Sequence, residues 1–113
     1  MGRLFAFLIM LGAAAQPAFA ADSIAAIVAN PATYDGKTVD VRGVVTGLRE
    51  KTSRKGNDYD TFKICSTTCL SVFIFGRPAI TDGKPAAVHG IFRGKHSVGA
   101  YTYYNEIEAD NVR

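Results

Sequence analysis

The sequence has few of the residues from which catalytic and metal centres are usually built. Its 113 residues include two cysteines, Cys65 and Cys69, and two histidines, His89 and His96. Two thiolates need further ligands to hold a metal ion, and no motif places a nucleophile with either histidine. The sequence also lacks H-E-x-x-H, G-x-S-x-G, a P-loop and the C-x-x-C-H of covalent haem attachment. We therefore expect no metal site, no cofactor and no enzymatic activity, with His89 as a surface residue of a strand.

The sequence also has no apolar run long enough to span a bilayer as a permanent helix, which takes about 20 residues. A shorter run, Leu4 to Leu11, follows Arg3 and precedes the small-residue site Ala18-Phe19-Ala20. These are the three parts of a secretory signal peptide, with cleavage expected after residue 20. The residue directly after that site is alanine and not cysteine, so we expect no lipid anchor. The pattern predicts a periplasmic or secreted protein.

About 93 residues remain after that cut, enough for one small domain over residues 21–113. Removal of the signal takes away one cation and no anion, so the formal charge falls from +3 to +2. So small a net charge says little about partners, and the local distribution of charge is more informative.

The stretch Asp58–Gly76 has the pattern of a β-hairpin. Two β-branched and aromatic runs are joined by a Ser-Thr-Thr loop between Cys65 and Cys69. The first run alternates between apolar and polar residues, and the second is apolar on nearly both faces. Two hairpin strands lie close enough for a disulfide, and an exported location is oxidising. We predict a structural Cys65–Cys69 disulfide. A redox-active pair and a thiolate metal site are the alternatives, although C-x3-C differs from the C-x-x-C of redox sites.

The remaining chain predicts one short helix and three further strands. Asp22-Ser23 can cap a helix from Ile24 to Ala29, which Asn30-Pro31 would end, and Pro31–Lys37 is expected to be a turn. The predicted strands are Thr38–Leu48 with a bend at Gly43, Pro85–Arg93, and Ala100–Ala109, with a polar turn at residues 94–97.

The last predicted strand carries two further expectations. A bulge near Asn105-Glu106 would send Ile107 inward. Glu106 and Glu108 would then share one face, where the expected role is solvent exposure or pairing with Arg42.

A charged segment, Arg49–Asn57, precedes the hairpin. Arg49, Lys51, Arg54 and Lys55 are opposed there only by Glu50. One interpretation is a solvated hairpin tip, and the other is a basic finger for an anionic ligand. The start of an aromatic strand directly afterwards favours the second.

Four segments together resemble bacterial exported OB-fold domains of the nucleic-acid-binding, anticodon-binding-like type. They are NPATYDGKTVDVRGVV, GNDYDTFKIC, SVFIFGRPAITDGKPAAVHGIF and AYTYYNEIEA, which cover almost all of residues 21–113. The resemblance implies an all-β fold with little helix, a closed five-stranded barrel. The segment Arg77–Lys84 leaves no room for the helix that usually follows the third strand. We expect the helix of residues 24–29 to cover the barrel opening instead.

The resemblance also implies a binding surface on strands 2 and 3 and on the loops after strands 1 and 4. The expected partner is single-stranded nucleic acid or another anionic polymer, and the alternative is an envelope protein or glycan. A competing interpretation has Phe73 and Phe75 packed under a loop or helix. The residues expected on the surface are Arg49, Lys51, Arg54, Lys55, Tyr59, Thr61, Lys63, Phe73, Phe75, Lys95 and His96.

Overall fold

The structure is a computed structural model that describes residues 21–113, so the predicted signal peptide lies outside the described residues. Two short helices precede five strands along the chain. The helices are α1 (Ile24–Ala29) and α2 (Pro31–Tyr34). The strands are β1 (Thr38–Thr52), β2 (Asp58–Cys65), β3 (Cys69–Phe75), β4 (Pro85–Val98) and β5 (Tyr101–Val112).

The strands close into a barrel in the order β1-β2-β3-β5-β4. The pairs are antiparallel except β3 with β5, which run parallel over four residue pairs from Ser71↔Glu106 to Ile74↔Ala109. Closure satisfies the backbone hydrogen bonds that an open sheet would leave at its edges. The expected all-β, five-stranded barrel with a short N-terminal helix is confirmed.

Strict alternation along the strands fills the barrel with aliphatic side chains. On β2, for example, Phe62 and Ile64 are buried while Lys63 between them is exposed. Successive side chains of a strand point to opposite faces, so a period of two separates the core from the outer surface. The strand residues of the core are Val39, Val41, Val45, Phe62, Ile64, Leu70, Val72, Ile74, Ala86, Val88, Phe92, Ile107 and Val112.

Helix α1 begins and ends where the sequence predicts. The Ser23 side chain accepts a hydrogen bond from the Ala26 amide at 3.1 Å, as an N-cap residue should. Ile24 and Ile27 belong to the barrel core, and Val28 packs against it.

The predicted turn at residues 31–37 is wrong in its first half, because Pro31 starts α2. Proline suits the first helical position, since its fixed φ is helical and the missing N–H is not needed there.

Gly43 marks where β1 changes partner rather than where its register breaks. Val44 pairs with Pro85 of β4 on one side and with Cys65 of β2 on the other. A Cβ atom on Gly43 would overlap the Cys65 carbonyl oxygen, so only glycine allows the two backbones to approach there. The register irregularity lies further on, between Thr46 and Arg49, around a glycine with φ +67°.

Three strands extend beyond their predicted ends, and the end of β5 moves from Ala109 to Val112. β1 continues to Thr52, so the loop predicted at residues 49–57 shrinks to residues 53–57. β4 continues to Val98, and the turn predicted at residues 94–97 instead falls at Gly99-Ala100. The positive φ of +60° at Gly99 fits the first central position of a type II′ hairpin turn. Pairing with a partner strand overrides the turn-like composition of these polar segments.

The predicted bulge at Asn105-Glu106 is also displaced. Asn105 has a left-handed φ of +52°, but the register of β5 against β4 stays in step there. The shift occurs between His89 and Gly90 of β4, opposite the stretch around Asp110 of β5. Ile107 is fully buried, as expected.

The predicted disulfide is present. Cys65 and Cys69 are joined, and they face each other as the last residue pair of the β2–β3 hairpin. The bridge therefore closes the Ser-Thr-Thr loop at one end of the barrel. In the chain-entropy model a loop this short contributes about 2 kcal/mol.

Candidate binding cleft

Three aromatic rings lie side by side on the outer face of β2 and β3. Tyr59 pairs with Phe75 and Thr61 with Phe73, so alternation directs all four side chains away from the core. The Tyr59 and Phe73 rings stack with centroids 5.1 Å apart, and Phe73 meets Phe75 edge-on at 4.9 Å. Phe75 is 67% exposed, and the other two rings are half-buried. The rings thus form a stepped platform, open to solvent at the Phe75 end.

The β4–β5 hairpin supplies the opposite wall. β1 pairs with β4 no further than Ile91, and β3 pairs with β5 only from Glu106 onward. Residues 94–105 therefore form an arm in which the two strands pair with each other. His96 and Tyr103 are a cross-strand pair on this arm, with ring centroids 6.2 Å apart.

A cleft of about 470 Å³ lies between the platform and the arm. It brings together residues from β1, β2, β3, β4 and β5. Its lining is Lys51, Tyr59, Thr61, Phe73, Phe75, His96, Val98, Tyr103, Glu106 and Glu108.

Parallel pairing of β3 with β5 places two carboxylates in the cleft. Phe73 faces Glu108, and Ser71 faces Glu106. One Glu108 oxygen accepts a hydrogen bond from Arg93 Nε at 3.2 Å, and the other lies 3.3 Å from His96 Nε2. The interpretation of these acids as solvent-facing or paired with Arg42 is therefore wrong for Glu108. Its partners come from β4, which the sequence alone did not place beside it.

Glu106 differs from Glu108 in having no such partner. Within residues 21–113 no hydrogen bond or salt bridge reaches its carboxylate. Burial raises the pKa of Glu106, the nearby His96 opposes that shift, and the negative charge of Glu108 adds to it. The cleft therefore holds one neutralised carboxylate and one that is free to accept a hydrogen bond from a ligand.

Arg77 fixes the end of the cleft nearest the β1–β2 hairpin. Its Nη1 donates to the Tyr59 carbonyl and to Asp60 Oδ1, both at 2.7 Å, and its Nη2 donates to the Lys51 carbonyl at 3.0 Å. Asp60 is the buried acid of the barrel, only 1% exposed. Arg77 thus holds the backbones that carry two cleft residues, Lys51 and Tyr59.

The structure brings together only part of the predicted surface. Lys51, Tyr59, Thr61, Phe73, Phe75 and His96 line the cleft. The remaining predicted residues, Arg49, Arg54, Lys55, Lys63 and Lys95, do not.

The positions of several predicted cations also need correction. Arg49 and Lys51 lie on β1, and Lys95 and His96 lie on β4, rather than in loops. Lys95 sits on the other face of the arm, beside a depression that Asp35 and Tyr104 also line. Arg54 and Lys55 do occupy an exposed hairpin tip, as expected.

Sequence reasoning missed four lining residues. They are Val98, Tyr103, Glu106 and Glu108. Each depends on the length of the β4–β5 arm or on the parallel pairing of β5 with β3. A turn placed at Gly99-Ala100 would have paired His96 with Tyr103 and revealed the arm.

Two further observations concern metal binding and membrane-spanning helices in the described part of the chain. No group of three or more His, Cys, Asp or Glu side chains in residues 21–113 is arranged to hold a metal ion. Neither described helix has the length and hydropathy needed to cross a membrane. The cleft offers ring faces, one free carboxylate and one lysine, which are groups for binding a ligand by stacking and hydrogen bonding.

Comparison with known proteins adds no relative to this description. No family model matches the chain, and a search of curated proteins finds no significant sequence match.

Proposed function

We propose that the protein is an exported, non-enzymatic binding module of the OB type, and that its cleft holds single-stranded nucleic acid or a similar anionic polymer. The observation that carries the proposal is the platform of Tyr59, Phe73 and Phe75 in an open cleft. The disulfide fits an oxidising compartment outside the cytoplasm.

Ring stacking supplies most of the proposed affinity. Bases stack on aromatic side chains with about 1 to 3 kcal/mol per base, and every base has a face that can stack. Phe75, with its edge contact to Phe73, leaves a face free for a base at the open end.

Charge then decides how the strand would run. The unpaired Glu106 carboxylate, when ionised, would repel phosphates, so the sugar-phosphate backbone should avoid the β5 side of the cleft. Lys51 lies on the β1 side, and Arg54 and Lys55 follow at the hairpin tip. We therefore expect bases to point toward β5 and phosphates to follow β1.

Fluorescence anisotropy with a labelled 12-nucleotide single strand tests the proposal. We expect saturable binding at low salt that weakens as salt rises, because phosphate contacts release counterions. Phe75→Ala should weaken binding by about fivefold or more, the loss of one stacked base. The matched control is Tyr104→Ala, which removes an aromatic ring that is 63% exposed and does not line the cleft. No saturable binding at low salt, or equal losses in both variants, would refute the proposal.

An envelope glycan is a second candidate, favoured by the two carboxylates. Glu106 and Glu108 can accept hydrogen bonds from sugar hydroxyls, while the rings of the platform pack on apolar sugar faces. OB-folds bind oligosaccharides as well as oligonucleotides. A neutral oligosaccharide should then displace the labelled strand or bind in its place. Its affinity should be indifferent to salt and to Arg54→Ser with Lys55→Ser.

A further inference from the structure

The cleft contains a hydrogen-bond acceptor that no group of residues 21–113 uses. Both oxygens of Glu108 already have neighbours, Arg93 and His96. The Glu106 carboxylate has none among residues 21–113, although it is half-buried in the cleft. A partly desolvated carboxylate without a donor is costly, and a ligand that brings a donor removes that cost.

Glu106 also lies within reach of a base on the aromatic platform. It faces Ser71, two residues before Phe73 on the same outer face of β3. Two residues along a strand correspond to roughly 7 Å. A base that stacked on Phe73 would therefore lie within reach of this carboxylate, which lines the same cleft.

We propose that Glu106 makes the cleft selective for bases that carry an amino group, and that it binds cytosine in preference to thymine. The inference rests on the proposed function, since it assigns specificity to the same cleft. Cytosine presents its N4 amino group as a donor, for which a glutamate is a suitable acceptor. Thymine presents the O4 carbonyl at that position, which would face another oxygen.

The comparison of cytosine with thymine isolates the effect of hydrogen bonding at the base edge. Both are single-ring pyrimidines, so the platform of Tyr59, Phe73 and Phe75 should stack either one similarly. Phosphate contacts are also the same in two homopolymers of equal length. A difference in affinity between them therefore reports on hydrogen bonding at the base edge.

The experiment measures labelled oligo(dC) and oligo(dT) of 12 nucleotides by anisotropy at low salt. We expect oligo(dC) to bind the wild-type protein about five- to tenfold more tightly, the lower part of the range for one base contact. Glu106→Gln should reduce the difference to about twofold or less, because an amide can accept from cytosine and also donate to thymine. Glu50→Gln is the matched control, since it removes the same charge from an exposed position outside the cleft.

The outcomes separate this inference from the proposed function. Equal affinity for the two strands would refute the selectivity and leave the nucleic-acid cleft standing. A preference for cytosine that persists in Glu106→Gln would refute the role of Glu106. Absence of saturable binding to either strand would refute the proposed function, and the inference with it. A preference lost in Glu106→Gln and kept in Glu50→Gln would support the assignment.

Discussion

Arg77 lies where β1, β2 and the segment after β3 meet, and its guanidinium neutralises the buried carboxylate of Asp60. The two side chains are 2.7 Å apart, and Arg77 is one-third exposed while Asp60 is 1% exposed. No motif in the sequence indicates a role for either residue. Their pairing depends on three segments that come together only in the folded barrel, so no local sequence pattern predicts it.

Arg77→Ala should strongly destabilise the barrel. Removing the cation leaves Asp60 as a buried charge without its partner, and breaking such a pair costs about 3 to 5 kcal/mol. Urea unfolding followed by far-ultraviolet circular dichroism measures the change. Arg54→Ala, at the exposed hairpin tip, is the control and should change the free energy of unfolding by about 0.5 kcal/mol or less. A loss below about 1 kcal/mol in Arg77→Ala would contradict this account of Asp60.

Glu106 should make stability depend on pH in a direction opposite to that of an ion-paired acid. Burial raises its folded-state pKa above the ordinary 4.5, so the folded state binds the proton more tightly than the unfolded state. Its ionisation therefore removes stability as pH rises from about 4.5 through the raised pKa, and the deficit persists at higher pH. At lower pH, where both states are protonated, the group contributes nothing.

Glu106→Gln tests this dependence. The variant should melt at a higher temperature than the wild type at pH 7, and the difference should shrink as the pH falls below about 4.5, where the glutamate becomes protonated in both states. Thermal unfolding at several pH values provides the measurement, with Glu50→Gln as the control for loss of one negative charge. A wild type that is more stable than Glu106→Gln at pH 7 would show that the carboxylate has a stabilising partner.

At the scale of elements, β1 serves two sides of the barrel, and Gly43 permits this. A glycine inside a strong strand often marks a bulge or a bend, so the sequence predicts a bend at Gly43. Gly43 is indeed a special position, but the reason is the close approach of the Cys65 backbone. The irregularity in register lies between Thr46 and Arg49. The sequence shows that a glycine interrupts the strand, but the reason for it depends on the position of the neighbouring strand β2.

Gly43→Ala should destabilise the barrel by on the order of 2 kcal/mol, as overpacking at a rigid backbone does. The added methyl group would overlap the Cys65 carbonyl oxygen, and a backbone atom cannot rotate away as a side chain can. Gly94→Ala is the matched control, because the nearest atom to a Cβ there is 3.5 Å away. Chemical denaturation of both variants gives the comparison. Similar midpoints for the two variants would mean that β1 and β2 can separate locally at little cost.

The β4–β5 arm shows how an element boundary decides a site. Gly94, Lys95, His96 and Ser97 have turn-like composition, which led to the prediction of a shorter β4. In the barrel the strand continues, and its pairing with β5 brings His96 and Tyr103 to the cleft. The turn preference of these residues stabilises a turn less than cross-strand hydrogen bonding stabilises the strand, once the register of the hairpin is set.

At the scale of the whole molecule, the cations of the β1–β2 hairpin tip lie apart from the aromatic rings. The platform lies on β2 and β3, while Arg54 and Lys55 lie at the exposed tip joining β1 to β2. A polymer that contacts both must extend from the cleft along the β1–β2 hairpin. A mononucleotide confined to the cleft would not reach the tip.

Replacing both tip cations with serine tests that path. If each contacts a phosphate, Arg54→Ser with Lys55→Ser should reduce the slope of log affinity against log salt concentration by about 1.4. The control is Arg42→Ser with Arg113→Ser, which removes the same charge from a separate depression. Anisotropy at four or five salt concentrations provides the slopes. A slope unchanged in the tip variant, with binding retained, would place the strand elsewhere.

The sequence by itself determined the local features of this protein. Ser23 caps α1, the Cys65–Cys69 pair closes a three-residue loop, and the period of two along β2 puts Tyr59 on the face opposite Phe62 and Ile64. Each of these follows from neighbouring residues, because caps, tight hairpins and strand faces are set by groups a few positions apart. The number of strands follows from the same patterns.

Only the tertiary structure decided which strands are neighbours. Phe73 faces Glu108 because β3 pairs in parallel with β5, and a free carboxylate lies beside the aromatic platform for the same reason. A period of two tells which face a side chain occupies, but it carries no information about the partner strand. The composition of the cleft, aromatic and acidic rather than aromatic and basic, is therefore a property of the closed barrel.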